Sequence, residues 1–307
     1  MRFAVESWDP AYGSSVADTA LESANEPVDP AVEVPVDAWR PITPGPVSEV
    51  TTVLFVDGVR RIDSRVWIND DGITRPGLCA SVAAGAVRCE PGSASLVMAV
   101  VERGLYTAAG NAASINTARG GTYELKPASG DEDGDLYLGV HSHMTALETR
   151  VSTVLNGAQL VVFDGPLRGR DKSSGVGYIK TQHVQYLEPD QQRVVFALED
   201  GQRTPLFAIG GRFARWSWYL RLPGPRSHGA SGIVRLELPG VGDAAGAAER
   251  ADEVSAALPR FASEAHKEPR APQNLYPIAG LEHQLRHRLG DSYLLERALR
   301  SASQAGV

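Results

Sequence analysis

The sequence contains few cysteines and no long apolar run. Only two of its 307 residues are cysteines, Cys79 and Cys89, and they lie ten positions apart without a second pair or clustered histidines. This spacing predicts neither a disulfide framework nor a zinc site, and we expect two buried thiols. No segment approaches the roughly 18 apolar residues of a membrane span, and the first residues lack the apolar core of a signal peptide. The sequence therefore predicts a cytoplasmic protein without a membrane segment.

The sequence also lacks a net positive charge and motifs that bind nucleoside triphosphates. Lys and Arg number 30 against 37 Asp and Glu, giving a formal net charge of −7. This charge excludes a uniformly basic protein that coats nucleic acid, although it allows a local basic groove. The glycine-rich stretch 168–181 fits neither a Walker A loop nor a Rossmann fingerprint, so we expect no binding of ATP or NAD. Loops of this kind can cradle phosphates, which makes Arg168, Arg170 and Lys172 candidates for DNA contacts.

Composition divides the chain into two parts. Residues 1–50 are rich in acids and carry seven prolines between positions 10 and 46, so they predict an extended arm or linker. Such an arm lies along a surface, stays disordered or reaches a partner subunit. Residues 51–307 alternate strand and helix patterns and predict a single folded α/β domain.

Two carboxylates stand directly before a glycine at the end of an apolar run. Asp57-Gly58 follows the predicted strand 51–56, and Asp164-Gly165 follows the predicted strand that begins at Leu160. Each glycine would allow a sharp turn and the approach of a substrate. Acids at the carboxyl ends of neighbouring buried strands would need a cation, and oxygen ligands suit Mg²⁺ or Mn²⁺. The alternative is that each Asp only caps a helix or starts a turn.

Further strands are predicted at 61–68 and 78–89, after a short connection at 57–60. Apolar residues recur every three or four positions from His143 to Leu155, which predicts an amphipathic helix leading into the strand of Asp164. Glu148 lies on this helix. It would either project towards the two aspartates or form an exposed salt bridge.

Three more strands are predicted at 205–210, 215–222 and 231–238, and the second and third form a hairpin. Guanidinium groups and aromatic rings alternate there, as contacts to phosphates and bases require. The candidates for DNA binding are Arg215, Trp218, Arg221 and Arg226. The alternative is a solvated strand face with buried aromatic side chains on the other.

Two helices are predicted near the end of the sequence, at 244–258 and 280–302. Tyr276-Pro277 precedes the second one. His283 and His287 are one helical turn apart within it. They would bind a metal or a phosphate, or simply form a surface pair.

The order of these motifs resembles the NurA nuclease family over roughly residues 50–300. The pattern consists of Asp57-Gly58, Glu148, Asp164-Gly165, the segment 176–180, the arginine-rich hairpin and Tyr276-Pro277 followed by His283. Proteins of that family have an RNase H-like fold, so the resemblance implies a mixed central sheet flanked by helices. It also implies a homodimer that degrades DNA with Mn²⁺ or Mg²⁺ in partnership with a HerA-type hexameric ATPase.

The resemblance also implies a role for each motif residue. Asp57, Glu148 and Asp164 would hold two metal ions, and Lys180, Tyr276 and His283 would assist near the scissile phosphate. Val59 departs from the family pattern, which commonly has a small hydroxyl residue after the first glycine.

The implied function is a 5′–3′ exonuclease with an accompanying endonuclease activity on single strands, acting in DNA end processing, repair or defence. Two other functions remain open at this point. The first is a catalytically weak adaptor of the same fold that grips DNA or docks on the ATPase. The second is a phosphoesterase acting on small substrates.

Overall fold

The computed structural model describes residues 22–23, 26–167, 175–226 and 228–305. The strands are β1 Glu22–Ser23, β2 Val28–Asp29, β3 Val53–Asp70, β4 Ile73–Glu90, β5 Ser93–Thr107, β6 Ile115–Thr117, β7 Gly121–Pro127, β8 Leu160–Asp164, β9 Gly175–Ile179, β10 Val184–Gln185, β11 Phe207–Ile209, β12 Arg215–Arg221 and β13 Ile233–Pro239. The helices are α1 Asp133–Val154, α2 Pro189–Ala197, α3 Ala244–Ala257, α4 Tyr276–Arg288 and α5 Ser292–Ala305. Mixed sheet pairing with flanking helices confirms the predicted α/β class.

The chain divides into two compact units. Unit 1 comprises Met1–Phe55, Arg88–Ala94 and Gly157–Ala279, and unit 2 comprises Val56–Val87, Ser95–Asn156 and Gly280–Val307. Every helix in the described part of the chain is too short or too polar to span a bilayer.

Unit 1 contains the strands β2-β11-β12-β13-β9-β8, hydrogen-bonded in that order. β8 and β9 run parallel, and β12 and β13 form the predicted antiparallel hairpin. All five residues of β9 and the first four of β8 are buried, as expected for strands covered on both faces. The apolar runs at 160–163 and 233–238 are therefore core strands, as the sequence predicts.

Residues 26–50 pack within unit 1. The Trp39 indole donates to the Pro30 carbonyl oxygen at 2.8 Å, and Ile42 forms a β-bridge with Arg203. The buried Arg203 guanidinium also pairs with Glu33 at 2.8 Å. These contacts fix a proline-rich segment that has little regular structure of its own.

Unit 2 is built on the long strands β3, β4 and β5, with β7 and β6 following β5 in the sheet. The turn between β3 and β4 consists of Asp71 and Gly72, with φ of 51° and 88°. Positive φ at both central residues is the two-residue hairpin turn that suits the twist of antiparallel strands. β7 runs parallel to β5 and antiparallel to β6.

Helices α4 and α5 cover the sheet of unit 2. Leu281, Leu285 and Leu289 of α4 form one apolar cluster with Val59 and Ala83. In a second cluster, Leu299 of α5 packs with Cys79, Leu105 and Tyr123. Both cysteines are buried free thiols, as predicted, and burial raises the pKa of Cys79 to about 12 and of Cys89 to about 11.

One predicted boundary is wrong. The connection expected at 57–60 lies inside β3, which continues without interruption through Gly58. Gly58 does not adopt a positive φ, so it provides no turn there. Instead, Gly58 lies against the side chains of Met144 and Glu148 of helix α1.

Candidate active site

The first predicted acid-glycine pair lies against helix α1 in unit 2. Asp57 is 5% exposed, and its Oδ1 accepts a hydrogen bond from the Gly58 amide at 2.7 Å. A Cβ atom added at Gly58 would lie 2.5 Å from Glu148 Oε1 and 2.8 Å from Met144 Cγ. Position 58 therefore needs a glycine so that α1 can approach the strand, and not for a change in chain direction.

Glu148 is brought to this position by the predicted helix, which begins ten residues earlier than expected, at Asp133. Its side chain is 2% exposed, which excludes the exposed salt bridge considered from the sequence. A carboxylate buried this deeply is costly unless hydrogen bonds or a cation compensate for the lost water.

A third acid, Glu282, joins this region from helix α4. One of its carboxylate oxygens lies within 4.8 Å of a carboxylate oxygen of Asp57. Sequence reasoning missed Glu282 and selected His283 instead, but His283 and His287 are both exposed. The sequence does contain a signal for Glu282. Leu281, Leu285 and Leu289 mark the inner face of α4, and Glu282 follows directly after the first of them.

The second predicted acid lies in unit 1, where it contacts the predicted lysine. Lys180 Nζ donates to Asp164 Oδ2 at 2.6 Å and to Asn274 Oδ1 at 2.9 Å. The parallel pairing of β8 with β9 places Asp164 opposite Tyr178. Lys180 follows Tyr178 by two positions, and side chains two positions apart on a strand share a face. Gly165 has φ of +100°, so here the predicted turn is confirmed.

Asn274 is a second residue that the sequence analysis did not select. It is fully buried, and its Nδ2 has no hydrogen-bond partner within the described ranges. Its Oδ1 orients the Lys180 ammonium, so the amide acts on Asp164 through that lysine.

Tyr276 is held by a neighbouring loop. Its hydroxyl donates to Glu264 Oε2 at 3.1 Å and accepts from the Glu264 amide at 3.2 Å. Lys267 Nζ lies 5.6 Å from the centre of its ring. The side chain is 36% exposed, and its assisting role stays a prediction.

The arginine-rich hairpin does not offer the predicted DNA contacts. Trp218 is fully buried and donates to Ser255 Oγ at 3.0 Å. Arg221 is 2% exposed and donates to main-chain oxygens of unit 1, including that of Gly229 at 2.8 Å. The prediction that Trp218 and Arg221 contact DNA is therefore wrong, because both side chains are part of the core.

Arg215 is likewise occupied inside unit 1. It donates to Glu26 Oε2 at 2.7 Å and to Glu237 Oε1 at 3.0 Å, and its side chain is 11% exposed. These two ion pairs occupy the guanidinium, and the predicted role of Arg215 in DNA binding stays a prediction. Arg226 is exposed and pairs with Asp200 at 2.9 Å, so its role stays a prediction. Arg168, Arg170 and Lys172 lie outside the described residues.

Glu237 is the centre of this buried charge network. Its Oε1 accepts from Arg235 at 2.5 Å and its Oε2 from the Leu167 amide at 2.9 Å. Burial by itself would raise the pKa of Glu237, but the charges of Arg235 and Arg215 together with the Leu167 amide outweigh burial and lower it. The carboxylate therefore stays ionised inside the unit.

The acids of unit 2 have the chemistry of a hard cation site. Asp57 and Glu282 supply carboxylate oxygens within 4.8 Å of each other, and Glu148 is buried against the residue that follows Asp57. Oxygen donors of this kind suit Mg²⁺ and Mn²⁺, whereas the two thiols of the chain are too deeply buried to act as ligands at neutral pH. The residues present thus fit a divalent cation.

No protein-family model matches the sequence, and no curated protein matches it. Among solved structures, the NurA nuclease from Sulfolobus solfataricus is 11% identical over 82% of this chain and 84% of its own, with a TM-score of 0.46. An endonuclease V from Bacillus subtilis is 12% identical over 86% of this chain and 87% of its own, with a TM-score of 0.31. The first of these belongs to the family that the sequence motifs resemble.

Proposed function

We propose that the chain is a divalent-metal-dependent deoxyribonuclease, a hydrolase of phosphodiester bonds. The observation that carries the proposal is the approach of the Asp57 and Glu282 carboxylates to within 4.8 Å. A divalent cation bound between two carboxylates at this separation would be attracted to both charges. The burial of Glu148 beside Gly58 adds a third acid to the same part of unit 2.

The metal ligands proposed from the sequence are Asp57, Glu148 and Asp164, and the structure adds Glu282 as a fourth candidate. When bound, Mn²⁺ or Mg²⁺ would activate a water molecule and stabilise the charge that develops on the leaving oxygen. Two ions per site are proposed from the family resemblance.

The side chains of unit 1 would orient one of these ligands. Lys180 fixes the Asp164 carboxylate through Oδ2, and Asn274 fixes the Lys180 ammonium. Charge-assisted hydrogen bonds of this length hold a carboxylate in one rotamer. His283, exposed on α4, is proposed to orient the substrate phosphate, and Tyr276 to assist.

The resemblance to the NurA family supports further proposals. The protein would be a cytoplasmic homodimer that degrades DNA with 5′–3′ exonuclease polarity and also cleaves single strands. Its partner would be a HerA-type hexameric ATPase. The absence of an ATP-binding motif in the sequence agrees with a division of labour in which a partner supplies ATP hydrolysis.

The test is cleavage of end-labelled linear duplex and single-stranded DNA with Mn²⁺, Mg²⁺ or EDTA, with and without the ATPase. We expect metal-dependent loss of label, reduced at least about 100-fold in Asp57→Asn because the metal loses a ligand. The matched control is Asp71→Asn, an exposed aspartate at the tip of the β3–β4 hairpin, which should cleave normally.

A second readout does not depend on cleavage. Mn²⁺ should raise the melting temperature of the unchanged protein by binding its native state, and this rise should shrink in Asp57→Asn and Glu282→Gln. Intact DNA under every condition, with DNA binding and the thermal shift retained, would favour the adaptor function instead.

A further inference from the structure

Unit 2 contains a cavity whose lining does not include the acids of the candidate active site. Its volume is ≈ 730 Å³, which lies within the range of roughly 300–1,000 Å³ that is typical of ligand pockets. It is bordered by α5, by the β6–β7 hairpin and by Arg103 of β5.

The size of this cavity, ≈ 730 Å³, suits a small organic ligand. Three arginines line it: Arg103, Arg119 and Arg297. None of the three forms an ion pair with a carboxylate within the described ranges, whereas twelve other described arginines do. Three guanidinium groups around one cavity therefore leave a local excess of positive charge on a protein whose net charge is −7.

The one acid in the lining, Asp291, offsets only one of the three positive charges. Asp291 precedes α5 and accepts a hydrogen bond from the Leu294 amide at 2.9 Å, which is the role of a helix N-cap. Arg103 donates to the Leu289 carbonyl oxygen at 3.2 Å, but its buried Nε has no acceptor within the described part of the chain. A buried donor without an acceptor is costly, and an anion in the cavity would supply one.

The other wall of the cavity is apolar. It is formed by one side of α5, namely Leu294, Leu295, Ala298 and Ala302. Leu294 is 59% exposed, so a ligand that covered it would gain from the burial of apolar surface. A ligand for this cavity therefore combines an anionic group with a flat or apolar group.

We propose that this cavity binds a nucleotide, with the phosphate on the guanidinium groups of Arg103, Arg119 and Arg297 and the base on the apolar wall of α5. Arginine suits this task because its planar donors match the oxygens of a phosphate. The nucleotide is either a free mononucleotide or the terminal nucleotide of a DNA strand, since both present the same chemistry. The proposal does not depend on the nuclease activity, because the acids proposed for cleavage do not line the cavity.

The experiment is titration calorimetry in EDTA with four probes and inorganic phosphate. The probes are thymidine 5′-monophosphate, thymidine, and a short oligothymidylate with and without a 5′-phosphate. We expect binding of the monophosphate or of the phosphorylated oligonucleotide, and none of thymidine. Arg119→Gln and Arg297→Gln should each weaken binding about tenfold, as expected for the loss of a charged hydrogen bond.

The matched control is Arg300→Gln on the same helix. Arg300 is exposed and pairs with Glu296, and it does not line the cavity, so its loss should leave binding unchanged. Arg119 and Arg297 are also exposed, so their substitution should leave the circular dichroism spectrum and the melting temperature unchanged.

Each outcome decides the proposal. Monophosphate binding that requires both arginines supports a free nucleotide, and binding of the phosphorylated oligonucleotide alone supports a DNA end. The proposal is overturned if no probe binds at millimolar concentration, or if the two arginine variants bind like Arg300→Gln. Inorganic phosphate bound as tightly as the monophosphate would remove the role of the apolar wall and overturn the assignment to a nucleotide. DNA cleavage by a protein that binds none of these probes would overturn this inference and leave the proposed function standing.

Discussion

Lys180 Nζ lies 2.6 Å from Asp164 Oδ2, and the two side chains keep only 10% and 14% of their accessible surface. Both charges are thus largely withdrawn from water and depend on each other. Asn274 completes the arrangement by accepting a second hydrogen bond from the ammonium group at 2.9 Å.

Replacing the lysine should therefore affect stability as well as cleavage. We expect Lys180→Met to lower the free energy of unfolding by about 3 kcal/mol, because it removes the ammonium group that pairs with the largely buried Asp164 carboxylate. The measurement is urea unfolding of Lys180→Met, Asp164→Asn and the double variant. The double variant should lose less than the sum of the two single losses. Strict additivity would show that the pair contributes no coupling.

Gly58→Ala should destabilise unit 2, because the new Cβ would lie 2.5 Å from Glu148 Oε1 and 2.8 Å from Met144 Cγ. We expect a loss of about 1–3 kcal/mol, as in other overpacked sites. The control is Gly280→Ala in α4, where a Cβ would meet nothing within 4 Å and the helix should gain about 1 kcal/mol. Denaturant unfolding measures both, and equal effects of the two substitutions would contradict the close contact.

Glu237→Gln should lower stability at neutral pH by about 3–5 kcal/mol, because Arg235 and Arg215 lose a buried partner. The pKa of Glu237 is lowered in the folded protein. Its contribution is therefore fully present above its unfolded pKa of about 4.3, and is lost as the pH falls through the lower folded value. The difference between Glu237→Gln and the unchanged protein should be constant from pH 6 to pH 8 and should shrink in acid. Unfolding measured from pH 8 down into the acid range checks the direction of this change. A stability difference that grows in acid would contradict it.

Arg221→Met should reduce stability and leave the salt dependence of DNA binding unchanged. The guanidinium lies inside unit 1, and its loss leaves main-chain oxygens without a donor, at about 1–3 kcal/mol for each oxygen. Arg226→Gln should show the opposite pattern, with normal stability and a salt slope reduced by about 1 if Arg226 contacts a phosphate. Thermal unfolding and DNA affinity at several salt concentrations separate the two effects. A reduced salt slope in Arg221→Met would restore it as a DNA contact.

The sequence predicted the elements whose signal is local. The apolar run before Asp164 forms β8, and the hairpin of β12 and β13 lies within two residues of its expected bounds. The helix that carries Glu148 was also found, since its apolar period repeats over several turns. In each case the residues that decide the structure are neighbours in the chain.

Other features depend on partners far away in the sequence. Asp57-Gly58 reads locally as a turn, and only the approach of Glu148, 90 positions later, explains why the strand continues. From the sequence alone, Arg215 is a candidate for contact with DNA. Only the folded chain brings Glu26 and Glu237 beside its guanidinium. Glu282 differs from both, because its position on α4 follows from the leucine spacing that the sequence already contains.

The core of unit 2 also constrains how this protein can be synthesised. Val59 and Ala83 pack against Leu281, Leu285 and Leu289, so about two hundred residues separate the sheet from the helix that covers it. A ribosome adding about 5–20 residues per second needs on the order of 10 s or more to supply that helix. During that interval the apolar face of the nascent sheet has no intramolecular cover, which makes it a target for chaperones and a starting point for aggregation.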